Sequence, residues 1–118
     1  MPRGRASDEA SIELFLDMLA AERGAGKNTL DAYRNDLADL AAHLRARRKS
    51  IAAAATDDLR SFLSTLADRG FKASSLARRL SAVRQLYRFL YAEGKRRDNP
   101  AAVLEGPKRG RSLPKVLS

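Results

Sequence analysis

The sequence predicts an all-α fold: a single four-to-five-helix domain followed by a Pro/Gly-rich C-terminal linker. Three observations lead there. Apolar residues recur at steps of three and four in four separate segments, the period of a helix with one buried side. Glycines and small polar residues stand between those segments, where helices stop and start. No alternating run of β-branched residues argues for a strand, and no internal repeat is present. With 118 residues the chain can build one hydrophobic core but not two large ones.

The first helix is expected from about Ser7 to Arg23. Ser7 can cap it, Asp8 and Glu9 suit its positive start, Ile12, Phe15, Leu16 and Leu19 form its stripe, and Gly24 stops it. The second is expected to begin near Asn28, with Asn28 as cap and Asp31 reaching back in a capping-box manner. Its stripe is Leu30, Tyr33, Leu37, Leu40 and Leu44, and it runs out in "RARRK". Thr56 is the expected cap of the third helix, which carries Asp57 and Asp58 in its first turn, buries Leu59, Phe62, Leu63 and Leu66, and ends at Gly70. The fourth, about Ser74 to Glu93, places Leu76, Leu80, Val83, Tyr87 and Leu90 at steps of 4, 3, 4 and 3, and Gly94 closes it. These elements make up a helical domain over residues 1–97. Residues 98–118 hold three of the four prolines and two glycines, which reads as a linker with at most one helical turn.

Composition limits the function. Lys and Arg number 23 against 14 acids, a formal charge of +9, which points to a polyanionic partner such as nucleic acid or an anionic membrane surface. Without cysteine, this chain has no disulfide and no thiolate metal site. No stretch approaches the roughly 18 apolar residues of a membrane span, and no export signal is visible, so a cytoplasmic protein without a membrane partner is expected.

The charge is concentrated. Residues 71–97 hold eight Lys and Arg against one acid, whereas residues 1–24 hold three against five. At about 100° per residue, Ser74, Arg78, Ser81, Gln85 and Arg88 fall opposite the apolar stripe of the fourth helix, with Arg79 and Arg84 on its borders. That polar side contains no acid. Arginine offers a donor fork to phosphates and guanine edges, serine contacts either, and glutamine can pair with adenine. A merely solvated helix would usually intersperse Glu with Arg, so nucleic acid is the better reading of this side.

The second helix differs along its length. Asn28, Asp31, Asn35 and Asp39 lie opposite its stripe and would repel phosphate, while Lys27, Asn28 and Thr29 in its first turn, with Arg34, would attract it. The helix is therefore expected to point its N-terminus at DNA. Tyr33 lies within the stripe, where a buried ring with a wet hydroxyl competes with a phosphate contact. His43, the only histidine, has no evident partner for catalysis or metal binding, and Tyr87 and Tyr91 have core or near-core explanations. Asp57 and Asp58 read as helix-start residues and not as a metal pair.

In order and spacing, "NTLDAYRNDL", "TDDLRSFLSTL", "KASSLARRLSAVRQLYRFLYAEG", "DNPA" and "PK…LPKVLS" resemble the N-terminal core-binding, SAM-like domain of tyrosine recombinases, closest to the XerD/XerC group. The resemblance covers about residues 10–118, and within it an integron or phage integrase is the alternative to the XerD/XerC group. It implies a DNA clamp in which the second and fourth helices of this domain enter the major groove. The implied DNA-contacting residues are Lys27, Asn28, Thr29, Tyr33 and Arg34 of the second helix and Ser74, Ser75, Arg78, Arg79, Ser81 and Arg84 of the fourth.

The first helix would pack neighbouring recombinase subunits, XerC and XerD, in a tetramer on DNA. Residues 98–118 would lead to a catalytic domain that lies beyond Ser118. The whole protein would cut and rejoin DNA through a phosphotyrosyl intermediate and resolve chromosome dimers, using neither metal, ATP nor any other cofactor. This chain alone would not be an enzyme. Two other classes fit the residues: a stand-alone DNA-binding regulator or architectural protein, and a basic helical module for an acidic protein partner.

Overall fold

A computed structural model describes residues 3–104, with side chains from Ser7 onward. Its four helices are α1 (Arg3–Arg23), α2 (Lys27–Ala46), α3 (Thr56–Asp68) and α4 (Ala73–Ala92), with a 3₁₀ turn at Ile51–Ala53 between α2 and α3. No strand occurs among the described residues, in keeping with the all-α expectation. No described helix is long and apolar enough to cross a membrane.

The stripes read from the sequence meet in one core. Phe15 of α1, Leu37, Leu40 and Leu44 of α2, Leu59 of α3 and Leu86 and Tyr87 of α4 are fully buried, and Phe15 packs against the rings of Tyr33 and Phe89. Each fully buried leucine or phenylalanine contributes about 1.5–3 kcal/mol relative to an exposed one.

Helix stops follow the glycines. Gly24, Gly70 and Gly94 all adopt positive φ, the conformation that turns a chain out of a helix with least strain. At the end of α2 the same role falls to Arg48, at φ 63°.

Helix starts differ from expectation. α1 begins at Arg3, so Ser7 is inside it and not a cap, and Asp8 is buried, accepting the Ile51 N–H at 2.8 Å. Gly26, not Asn28, occupies the cap position of α2, and Asp31 pairs with Lys27 at 2.8 Å instead of reaching back to the helix start. Ala55 precedes α3, and the cap bond comes from Asp58, whose carboxylate accepts the Ala55 N–H at 2.9 Å. Thr56 instead donates its hydroxyl to the Pro100 carbonyl at 2.7 Å. α4 starts at Ala73, which leaves Ser74 and Ser75 in its first turn. Asp8 and Thr56 thus take long-range partners, and the cap positions of α2 and α3 fall to Gly26 and Ala55, which have no polar side chain to offer.

Past α4 the chain stays on the domain. Arg96 donates to the Ile51 carbonyl at 3.1 Å, and Ala101 and Leu104 are buried in the core around a single turn. The first residues assigned to the linker are thus packed against α3 through Thr56 and Pro100. Residues 105–118, including the "LPKVLS" stretch, lie outside the described residues.

Candidate nucleic-acid interface

α2 and α4 lie side by side and run in opposite directions. Tyr33 meets Gln85, while Asp36 meets Arg78 and Asp39 meets Arg79. From the 1.5 Å rise per residue, Lys27 and Ser74 stand roughly 25 Å apart along the pair. The two expected contact groups, at the start of α2 and along the first half of α4, therefore sit toward opposite ends of the helix pair.

At the start of α2, Lys27, Asn28 and Thr29 are exposed. Lys27 is paired with Asp31, and Arg34 makes a two-point pair with Glu13 of α1, both bonds at 3.0 Å, and a weaker one with Asp31 at 3.3 Å. These contacts hold the Glu13 and Asp31 carboxyls below their usual range and push Arg34 up. Such exposed pairs contribute little to stability, so a phosphate can compete for either cation. Tyr33 is half-buried against Phe15, and its hydroxyl accepts a hydrogen bond from Gln85 Nε2 at 3.2 Å.

Along α4, Ser74, Arg78, Arg84 and Arg88 are exposed, and Ser75, Ser81 and Gln85 are half-buried. Gln85 accepts from Arg23 Nη1 at 2.9 Å, and its amide nitrogen also donates to Ser81 Oγ at 3.0 Å. Its amide is thus occupied within the protein, a difference from the adenine-pairing role its residue type suggests.

Arg79 is the clearest departure. Its side chain is only 10% exposed, ion-paired to Asp39 and Asp36, with the guanidinium 4.8 Å above the Phe71 ring. It is a buried strap between α2 and α4, not a residue on the rim of an open surface, with two carboxylates and an aromatic ring in place of water around most of its guanidinium. Arg78 makes two bonds to Asp36, Nε to Oδ2 at 3.0 Å and Nη2 to Oδ1 at 2.9 Å, and remains half exposed.

Among the described residues, Arg84 and Arg88 have no ion-pair partner. They line a cleft of about 440 Å³ with Ser81, Gln85 and Asn99, between α4 and the turn that follows it.

Asp36 is what the sequence reading missed. Its side chain is 1% exposed, and it sits three residues after Tyr33 and four before Leu40, inside the apolar stripe of α2. A lone acid in a buried stripe, beside an arginine-rich helix without acids, is the signal that identifies it. His43 has a partner too: its ring lies 3.2 Å from Ser61 Oγ, and burial followed by the nearby Arg47 pushes its pKa down. Arg47 also reaches Ser61 and pairs with Asp58, so the cluster ties α2 to α3. No group of three or more metal-ligating side chains occurs among the described residues.

The family model for the phage integrase N-terminal SAM-like domain matches residues 12–94. Proteins named tyrosine recombinase XerD are similar along nearly the whole chain. The one from Bradyrhizobium diazoefficiens is 60% identical over 98% of this chain and 36% of its own length. That from Rhizobium meliloti is 58% identical over 92% and 35%, and that from Agrobacterium fabrum 51% over 94% and 34%. The chain thus spans about a third of the length of these curated relatives. With four helices, no described strand and a match that runs from α1 to the end of α4, the chain belongs to the phage integrase N-terminal SAM-like domain family.

Proposed function

We propose that this chain is the DNA-binding N-terminal domain of a XerD-like site-specific tyrosine recombinase. The observation that carries this reading is the outer side of α4, where Ser74, Arg78, Ser81, Arg84 and Arg88 follow one another without an acid. Guanidinium and hydroxyl donors in a row along a helix suit both a phosphate backbone and base edges in a major groove about 12 Å wide. The exposed N-terminal turn of α2, with Lys27, Asn28 and Thr29, supplies a second point of contact at the far end of the helix pair. Arg34 joins it by exchanging an exposed carboxylate for a phosphate. Ser75 and Tyr33 stand at the edges of the interface, and Arg79 serves it from within by fixing α4 on α2.

The whole protein, in this reading, carries a catalytic domain after residues 98–118. It cuts and rejoins DNA through a phosphotyrosyl intermediate, acts with XerC-type and XerD-type subunits in a tetramer on DNA, and resolves chromosome dimers in the cytoplasm. The names and high identity of the relatives support it.

Fluorescence anisotropy of this chain tests the reading, with a duplex carrying a Xer-type half-site and a shuffled duplex of equal length across a salt series. Preference for the half-site together with a steep salt dependence is expected. Equal, purely salt-driven binding would leave only a basic surface and favour a module for acidic partners.

A further inference from the structure

We propose that Asp36 is a positioning residue for DNA reading, which holds one edge of the Arg78 guanidinium so that its other edge faces the duplex. The inference rests on the reading of α4 as the DNA-facing helix.

A guanidinium carries five N–H donors in a rigid plane. Asp36 takes the side edge, formed by Nε–H and one Nη2 hydrogen, through both of its oxygens at 3.0 and 2.9 Å. Three hydrogens remain, and one on Nη1 and one on Nη2 form the end edge. That edge can meet guanine O6 and N7, or two oxygens of one phosphate, with two parallel bonds.

Burial gives the arrangement its direction. The Asp36 side chain is 1% exposed, whereas that of Arg78 is 48% exposed, so the bound edge points into the helix pair and the other toward solvent. The same carboxylate pushes the Arg78 pKa up.

Joining α2 to α4 does not depend on this pair, because the buried Arg79 already bridges Asp36 and Asp39. Arg78 is therefore the member with donors to spare. An unpaired arginine on a helix surface samples many rotamers and must be ordered by its ligand. Arg78 is ordered by folding, and a preorganised donor binds more selectively for the same contacts.

Charge alone makes the opposite prediction, which is what allows a test. Removing a carboxylate beside a polyanion site tightens binding to any DNA. Anisotropy on the half-site and shuffled duplexes is compared for wild type, Asp36→Asn, Arg78→Ala and the double variant, with thermal melts to verify folding. Asp36→Asn is expected to weaken half-site binding about tenfold, to leave shuffled-duplex binding equal or tighter, and to add nothing in the Arg78→Ala background. Equal or tighter half-site binding by Asp36→Asn, or additive losses in the double variant, overturns the inference while the DNA reading stands. Failure of the wild type to bind either duplex overturns both.

Should Asp36→Asn not fold, Arg78→Lys keeps the charge and leaves the Arg79 strap in place. Loss of half-site preference with shuffled binding retained is then the expected result, and an unchanged preference overturns the inference.

Discussion

The Tyr87 hydroxyl donates to the carbonyl of Ile51 at 2.8 Å, with the ring of Tyr87 and the side chain of Ile51 both fully buried. Arg96 donates to the same carbonyl, and Asp8 accepts the N–H of the same residue. One peptide segment between α2 and α3 is thereby tied to α1, α4 and the chain beyond α4. Tyr87→Phe leaves Arg96 as the remaining donor and is expected to cost about 1 kcal/mol in urea unfolding. Burial pushes the Tyr87 phenol well above its ordinary value of 10.0. A group shifted upward contributes stability that is fully present below its unfolded pKa and lost as pH rises through the folded one. The wild type is therefore expected to lose stability above about pH 10, and Tyr87→Phe to lose less; paired unfolding curves at pH 8 and pH 11 check this.

Two buried carboxylates are expected to respond to acid in opposite senses. The Ala55 N–H, then Arg47 and Lys49, hold Asp58 below 3.8, so its contribution is present above that pH and disappears as pH falls through the folded value. Burial raises Asp8, and one of its oxygens lacks a partner among the described residues. The Asp8 contribution is fully present below 3.8 and is lost as pH rises through the raised value. At pH 7, Asp58→Asn should cost about 1–2 kcal/mol, as expected for two lost ion pairs and a cap bond weakened to a neutral acceptor. Asp8→Asn should be neutral or stabilising. Denaturant titrations of both variants at pH 4 and pH 7 test the contrast.

Arg48 ends α2 at φ 63°, in a conformation that the other helix ends give to glycine. Arg48→Gly is expected to raise stability by about 1 kcal/mol, because glycine carries no Cβ strain there. A higher urea midpoint with unchanged slope is the readout, and a lower midpoint would show that the Arg48 side chain has a contact role that outweighs the strain.

The arginines of α4 should separate into two kinds. Arg79→Ala removes the buried partner of Asp36 and Asp39 and is expected to destabilise the domain by about 3 kcal/mol. Arg84→Ala and Arg88→Ala, at exposed positions on the cleft, should leave stability unchanged within about 0.5 kcal/mol. Each should reduce the salt slope of DNA binding by about one unit. Melts and salt titrations of the three variants together distinguish strap from contact.

The four helices and their buried stripes follow from the sequence alone, because a period of three to four apolar residues leaves one helix side to bury, and Ile12, Leu37, Phe62 and Val83 could belong nowhere else. The glycine stops follow from it as well, since positive φ is a local property of the chain. Tertiary structure decided what the polar side chains do. Ser7, Asn28 and Thr56 read as caps, yet the backbone starts each helix earlier and gives Asp8 and Thr56 partners more than forty residues away. A helical wheel places Arg78 opposite the apolar stripe and Arg79 on its border, but only the antiparallel approach of α2 gives one a half-exposed fork and makes the other a buried strap. Periodicity records which side of a helix avoids water. Which carboxylate an arginine meets depends on the distance and direction of another helix, and those are settled only when the whole core closes.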